Sequence, residues 1–494
     1  MNKKMLINVE KKEIRIAIIE DSVLGDYYVE RTDTERLVGN IYKGRVVAVV
    51  SGIQAAFVDI GLEKNGFLYI SDITEPPNEI TDELEIETQA KKPYQKIEKV
   101  VHKGQEITVQ IVKEPLGTKG ARLTSQIAIP GRFVVFMPNT KQCGISRRIS
   151  EPKERERIRE ILKTIRVPEG AGVIVRTAAS GCSKNDIISD IKYLLSLWAD
   201  ARTKAVKSPV PSLLLEEQDV ISRVLRDIFS NEFSEIYIDS KDKHKIILKN
   251  FGKIIPNLRS KIRLYQEKIH LFEKFSVEDR IDRIYQRSVH LKSGGTIIIE
   301  PTEGLVAIDV NTGKFVGKKS LEETAYATNL EAAKEIARQI RLRDIGGIIV
   351  IDFVDMDIPE HRKAVFNELQ DALKTDRART KVLPMSELCV VEMTRQRTRK
   401  SLESASYQQC PSCKGRGLVK TYLTISIEIL RDIKQSLHRH GKKSLEVKVH
   451  PDVSSYLLNE ERNSVNAMEN ENGVKIYIRP IVGMGTEEYR IKQI

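Results

Sequence analysis

The sequence predicts an α/β chain of several domains, of the α+β kind, with one small all-β barrel among them, and three observations carry that prediction. At 494 residues the chain is too long for one core, and ordinary domain sizes divide it into about three or four folding units. From Gly39 to Gln126 about five short alternating segments are separated by glycine-containing turns, the count of a small OB-type barrel. Farther on, two strongly apolar Val/Ile runs, LVAIDV (305–310) and IIVIDF (348–353), flank a long helical pattern.

The elements follow in order. The barrel strands are NIYKGRVVAVV, QAAFVDIG, NGFLYISDI, GQEITVQIVKEP and KGARLTSQI. Between the third and fourth lies EPPNEITDELEIETQAKKPYQKIEK, a polar, turn-rich insertion longer than ordinary connections, expected to be a mobile loop. From Pro130 to Ser212 the text predicts a strand at RFVVFMP, a basic helix at EPKERERIREILKTI, a strand at AGVIVRTAA and a helix from Lys184 through Trp198, with Pro209 and Pro211 marking the exit. Residues 213–285 carry further helices and the strand EIYID, ending in the amphipathic VEDRIDRIYQRSV. A hairpin, GGTIIIEPTEGLVAIDV, then precedes a helix from about Leu321 to Asp344, whose Ala325, Ala332, Ala333 and Ala337 allow close packing and which Gly346-Gly347 should stop at a C-cap. After Lys420 the strands LEVKV and VKIYI surround a helix in one small unit.

Composition narrows the classes of function. Lys+Arg number 81 against 69 Asp+Glu, with a pI near 9.2, so a polyanion is the favoured partner. No stretch approaches the roughly 20 apolar residues that span a bilayer, and the start lacks a signal peptide's apolar middle, which predicts a cytosolic protein. Of five cysteines, Cys143, Cys182 and Cys389 are isolated, so no disulfide framework is expected.

Asp309 and Asp352 stand at the polar ends of the two Val/Ile runs. Carboxylates buried in such strands need a counter-charge, and a cation held by hard oxygen ligands with water completing its shell suits Mg²⁺ in phosphate chemistry. Strand capping or pairing with an arginine is the plainer reading of either aspartate alone; two such strands in one region favour a site. Histidines, among them His102, His270, His290 and His361, do not pair with a cysteine or serine as a nucleophile would need, which leaves metal-activated water as the attacking group. PLGTKGAR lacks the spacing of a phosphate loop, so nucleotide hydrolysis is rejected.

Three further patterns point to ligands. In the barrel, alternation puts Phe57 on one face with Asp59, and Phe67 with Tyr69, beside Lys43, Arg45, Lys113, Lys119 and Arg122; exposed rings in a positive groove suit single-stranded RNA or DNA. In VIVRTAASG, Arg176 and Thr177 leave a buried strand for a glycine-containing loop, where a guanidinium fork, a hydroxyl and backbone N–H groups can converge on a phosphate. Cys410-Pro411-Ser412-Cys413 is half of a zinc site, two thiolates where four ligands are needed, so zinc shared with another chain is favoured over a redox pair that lacks its βαβ setting.

The ordered set NIYKGRV, AAFVDIG, GTKGARLT, FMPN, GISRRI, VRTAA, LKSGG, AIDVNTGKFVG, TNLEAAKEIARQIRLRDIGGIIVIDF, VEMTRQR and CPSCKGRG resembles the ribonuclease E/G family from about Gly39 to Lys420. GTKGARLT, DVNTGKFVG and the short chain after the catalytic part point to the shorter branch of that family. The resemblance implies Asp309 and Asp352 as the Mg²⁺ ligands, Asn311 as the residue orienting the scissile phosphate, and Arg176, Thr177, Gly131 and Val135 as the pocket sensing a 5′-monophosphate and its nucleotide. It implies Phe57, Phe67 and Lys119 as the RNA-gripping face, and Cys410 and Cys413 as a Zn²⁺ link between two protomers. In MSELCVVEM, Cys389 stands where the family's usual pattern has glycine.

The implied organisation is an OB-fold RNA-binding domain (36–128) inserted in an RNase-H-like subdomain (1–35 and 222–285), then a 5′-sensor subdomain (129–221), a DNase-I-like catalytic subdomain (286–406), a zinc link (407–420) and a small C-terminal α/β domain (421–494). The implied activity is Mg²⁺-dependent endonucleolytic cleavage of single-stranded RNA, stimulated by a 5′-monophosphate, leaving 5′-phosphate and 3′-hydroxyl ends, in rRNA maturation and mRNA decay, by a homodimer or a dimer of dimers in the cytoplasm. A non-cleaving RNA- or ribosome-binding factor and a DNA nuclease are the alternatives.

Overall fold

The computed structural model describes residues 3–31, 36–74, 96–115, 119–141, 143–165, 167–230, 232–252, 258–313, 320–396, 406–413, 415–440 and 443–494. Of the insertion expected as a mobile loop (75–99), residues 75–95 lie outside the described residues, as do 314–317 of the DVNTGKFVG motif; its end departs from that expectation, since Ile97–Lys99 form a short turn with Ile97 fully buried in the barrel core. The chain divides into two units, 1–399 and 400–494.

In the first unit, β1 (Lys3–Val9), β2 (Glu13–Glu20) and β3 (Val23–Arg31) form an antiparallel meander. The barrel follows: β4 (Ile41–Val50), β5 (Ala55–Asp59), β6 (Gly66–Tyr69), β7 (Glu106–Lys113) and β8 (Arg122–Thr124), closed by pairing of β4 with β7. Its inward positions are Val46, Ala56, Val58, Leu68, Val109, Ile111 and Leu123, every second residue along the strands. Gly120 permits a close crossing, since a methyl group there would meet the Asn65 carbonyl oxygen at 1.9 Å. Next come β9 (Ile129–Pro130), β10 (Val134–Met137), β11 (Gly144–Ile145) and β12 (Gly172–Val175), a sheet in the order β11-β12-β10-β9.

Two helices share a core with that sheet, Pro152–Lys163 and Lys184–Lys207. The second runs past the expected end at Trp198. A capping box of Ser183 and Asp186 starts it, and no glycine or proline interrupts it before Pro209. The following strand, β13 (Ser212–Leu215), escaped the sequence reading; it pairs with β4 and adds a sixth strand to the barrel sheet. Then β14 (Phe233–Ile238) and β15 (Ile262–Leu264) return to the meander, β14 parallel to β1, in a sheet ordered β15-β14-β1-β2-β3.

The last sheet of this unit has six strands, β16 (Ser288–His290), β17 (Thr296–Pro301), β18 (Leu305–Asn311), β19 (Gly347–Asp352), β20 (Thr380–Val382) and β21 (Val390–Arg395), ordered β16-β17-β18-β19-β21-β20. Only β18 and β19 run parallel, connected through the Leu321–Arg343 helix. One face is dry: Val306, Ile308, Val310, Ile349, Ile351, Val391 and Met393 share a core with Ala332, Ala333, Ile336 and Ile340 of that helix and Val365 and Leu369 of the helix Pro359–Leu373. The small residues admit the helix close to the sheet, as expected. Its left-handed cap, however, is Asp344 at φ 51°, and not the Gly346-Gly347 pair. Aspartate tolerates that conformation, and here its carboxylate is bonded to the buried Arg395 guanidinium at 2.7 Å.

The second unit holds a three-stranded sheet, β22 (Leu445–Val449) between β23 (Ile476–Pro480) and β24 (Tyr489–Gln493), with helices Tyr422–His440, Pro451–Asn459 and Arg462–Asn472. Strand β24 (YRIKQ) was missed because its text is mostly polar. Ile425, Ile429 and Ile433, one helical face at i+4 spacing, join Val447 and Val449 in its core.

Candidate functional site

The pleat of β18 decides where its aspartate goes. Val306, Ile308 and Val310 turn into the dry core, so Ala307, Asp309 and Asn311 share the opposite, open face. On β19 the same rule buries Ile349 and Ile351 and sends Val350 and Asp352 outward. The two strands are parallel and in register, Asp309 beside Asp352, so both carboxylates leave the same face of adjacent strands, roughly 4.8 Å apart at the backbone. The expectation that these carboxylates are buried is corrected: Asp309 is half-buried and Asp352 exposed, because each falls on the face without helices. What burial remains, then the like charges of Asp309 and Asp355, push the Asp352 carboxyl above its ordinary value. Asn311, last in β18, donates its amide to Asp309 Oδ2 at 2.6 Å. The structure thus brings Asp309, Asp352 and Asn311 together on one open face.

The donor set fits a hard divalent cation. Two in-register carboxylates facing solvent leave room for water and phosphate oxygens, the way Mg²⁺ is held in phosphate chemistry. Among the described residues no group of three or more His, Cys, Asp or Glu side chains could hold a metal.

Behind Asp352, residues 354–358 are tied down almost atom by atom. The fully buried Asn329 donates to the Val354 carbonyl at 2.8 Å and accepts from its N–H at 3.1 Å. Glu322 accepts from the N–H groups of Asp357 and Ile358 and pairs with His361 Nδ1 at 2.8 Å. Arg362 donates to the carbonyls of Met356 and Asp357. Cys389 accepts from the Met356 N–H through Sγ at 3.2 Å. That residue has φ +57°, a left-handed backbone that glycine adopts without a steric cost, which is the physical content of the departure noted above; burial also pushes its thiol up. Of these supports only His361 and Cys389 were named from the sequence, neither as a brace for this segment. Asn329, a polar residue inside an alanine-rich helical face, was the available signal.

The second constellation lies on the β9–β12 sheet. Gly131 sits in the turn between β9 and β10, where its N–H is bonded to the Val134 carbonyl; a side chain there would meet Asp190 Oδ2 at 2.5 Å. Asp190, 1 % exposed, accepts the N–H groups of Phe133 and Val134 at 2.7 and 3.1 Å, while burial pushes its carboxyl up against the pull of those bonds. Val135 is on β10, half-buried, opposite Ile174 of β12. Arg176 and Thr177 follow β12 directly, with Thr177 Oγ1 3.3 Å from Ser146 Oγ. All four predicted residues therefore occupy one small sheet and its rims. The open guanidinium fork expected from the sequence is partly engaged: Arg176 Nη1 is 2.6 Å from Asp227 Oδ1.

On the barrel, Phe57 and Phe67 face outward on neighbouring strands, opposite one another, with ring centroids 5.3 Å apart. Tyr69 continues the row 4.3 Å from Phe67, and the Arg122 guanidinium lies 5.4 Å from its ring centroid. Lys119 is exposed. Lys43 and Arg45, predicted to lie beside these rings in a positive groove, both reach Glu106, at 3.1 and 3.3 Å. Asp72 holds Arg122 by two bonds of 2.9 and 3.0 Å.

In the second unit, Cys410 is exposed and Cys413 half-buried in one turn. The backbone N–H groups of Cys413 and Ser412 face the Cys410 thiol and hold it below the ordinary range, and Gly415 and Gly417 take positive φ just beyond. Such a turn fits a soft cation, with two of the four ligands of a closed zinc site.

The sequence model of the Ribonuclease E/G family matches residues 128–398, that of the S1 RNA binding domain residues 37–124, and that of the RNase E/G thioredoxin-like domain residues 409–494. Ribonuclease G of Escherichia coli (strain K12) is 41% identical over 483 residues, 97% of this chain and 98% of that protein. Ribonuclease G of Haemophilus influenzae (strain Rd) is 42% identical over 486 residues, 98% of this chain and 97% of that protein. Ribonuclease E of Escherichia coli (strain K12) is 39% identical, with all of this chain matching 46% of that protein. No described helix is long and apolar enough to cross a membrane.

Proposed function

The chain belongs to the ribonuclease E/G family and is an endoribonuclease with an RNA-binding S1 domain, and from that premise we propose that it cleaves single-stranded RNA by Mg²⁺-assisted hydrolysis at Asp309 and Asp352. The observation that carries this reading is the in-register placement of the two carboxylates on the open face of their sheet. When bound there, Mg²⁺ supplies activation of water as the nucleophile and neutralisation of charge building on the phosphate oxygens. The protein's own work is placement. Asn311, bonded to Asp309, fixes that carboxylate and directs the scissile phosphate toward the pair. Asn329, Glu322, Arg362 and Cys389 keep the backbone beyond Asp352 from shifting, the kind of support that holds reacting groups within a fraction of an ångström.

The same proposal assigns Phe57, Phe67 and Lys119 to gripping the RNA, by stacking and by charge. Arg176, Thr177, Gly131 and Val135 form the pocket for a 5′-monophosphate and its nucleotide. The products carry 5′-phosphate and 3′-hydroxyl ends, and the substrates are rRNA precursors and mRNA in the cytoplasm. In family terms the β14-β1-β2-β3 sheet region is the RNase-H-like subdomain and the β16–β21 region the DNase-I-like one. Incubating one labelled single-stranded oligonucleotide with and without Mg²⁺ tests the core of the reading. Cleavage confined to the Mg²⁺ reaction, with a 5′-phosphate on the downstream product, is expected; equal cleavage in a chelator removes it.

Cys410 and Cys413 are assigned to a Zn²⁺ shared by two protomers, because one chain offers two thiolates to a four-ligand ion. Cys410→Ser, or a strong chelator, should convert the dimer to monomer in native mass spectrometry. A dimer that survives both with no zinc in the preparation contradicts the shared site.

A further inference from the structure

Arg176 leaves the end of β12 with its guanidinium committed on one side only. Both hydrogens of Nη1 are used, one by the Gly131 carbonyl at 2.6 Å and one by Asp227 Oδ1 at 2.6 Å. Among the described residues it donates through no other nitrogen, so the Nε–H and Nη2–H pair remains, the parallel edge that matches two oxygens of a phosphate. With the side chain about a third exposed, that edge can receive a ligand from solvent.

Asp227 is in turn fixed. Arg226, almost fully buried, donates to both its oxygens, Nε to Oδ1 at 3.2 Å and Nη2 to Oδ2 at 3.0 Å. The same arginine reaches Glu217 at 2.8 Å and the Pro130 carbonyl at 3.4 Å. Arg377 donates to the Asp227 backbone carbonyl at 2.7 Å. Although burial opposes the charge, Arg176 and Arg226 hold the Asp227 carboxyl down at about 2, so it stays ionised at any working pH. Arg226 also neutralises a charge that would otherwise repel an incoming phosphate.

We propose that Asp227 is the positioning residue of the 5′-end pocket: with the Gly131 carbonyl it fixes Arg176 so that the Nε–Nη2 edge faces a terminal monophosphate. The inference rests on the reading of Arg176 and Thr177 as the 5′-monophosphate site. It adds a residue 51 positions away in sequence, on a different element, whose part is orientation and not contact with the phosphate.

One oligonucleotide prepared with a 5′-phosphate and with a 5′-hydroxyl tests both layers in wild type, Arg176→Ala and Asp227→Asn. Wild type should prefer the phosphorylated form and Arg176→Ala should lose the preference. Asp227→Asn, folded by thermal melting, should lose it by about tenfold, carried by KM for the phosphorylated substrate and not by kcat. Should the asparagine variant not fold, Asp227→Glu keeps the charge and displaces the guanidinium by one methylene, and the same loss is expected. Equal rates on both substrates in wild type, or a preference retained in Arg176→Ala, overturn the sensor and the inference with it. Loss in Arg176→Ala with the preference intact in both Asp227 variants overturns the inference alone.

Discussion

Asp309→Asn should lower cleavage of single-stranded RNA by about a thousandfold or more while RNA affinity changes by no more than about threefold. An amide keeps the size of the side chain and its bond to Asn311, but it removes the charge that a hard cation requires. Asp352→Asn should lose a similar factor. With both carboxylates acting on one ion, as proposed, the double substitution should be little worse than either alone. Affinity should be spared because the proposed RNA grip lies elsewhere, on the Phe57–Phe67 face of the barrel. Single-turnover rates together with filter-binding constants for the three variants separate these quantities. Cleavage by Asp309→Asn within tenfold of wild type at saturating Mg²⁺ contradicts the assignment.

Arg395→Met should strongly destabilise the sheet that carries the site, although it lies at the other end of β19 from Asp352. The guanidinium, 3 % exposed, is bonded to Asp344 and Asp376, whose side chains are 1 % and 3 % exposed. Substitution removes the guanidinium that neutralises two buried carboxylates, a loss that costs about 3–5 kcal/mol. Arg395 ends β21, and Asp344 caps the helix that links β18 to β19, so the loss falls on the sheet carrying Asp309 and Asp352. A drop of roughly 4–6 °C in the melting temperature is expected for a unit of this size. Adding Asp344→Asn and Asp376→Asn to Arg395→Met should recover part of it, because the buried charges that Arg395 neutralised disappear. A melting temperature within about 2 °C of wild type for Arg395→Met contradicts the account.

The sequence was informative wherever local patterning decides structure. Period-two alternation located the five barrel strands and set Phe57 and Phe67 on the outer face, since alternation in a strand fixes sidedness. Charged residues after Val/Ile runs located Asp309 and Asp352. Their exposure was misjudged because LVAIDV and IIVIDF are apolar on both faces, and a text that reads as doubly buried hides an open side. Strand β13 was missed because SLLL pairs with a partner about 170 residues away, Lys43 with Ser212. The supports at Asn329, Glu322 and Cys389 reach across 25 to 36 residues, and Asp227 reaches Arg176 across 51. Such partners are set by how elements pack, and single-chain text carries no record of that. Family membership settles what pattern left open, placing the chain with endoribonucleases and setting aside the non-cleaving binder.

Electron paramagnetic resonance of Mn²⁺, titrated against the protein with an uncleavable RNA analogue present, tests the acidic pair most directly. One Mn²⁺ bound per chain in wild type, displaced by Mg²⁺ and lost in both Asp309→Asn and Asp352→Asn, is the result expected. Mn²⁺ bound equally well by wild type and both variants would contradict it.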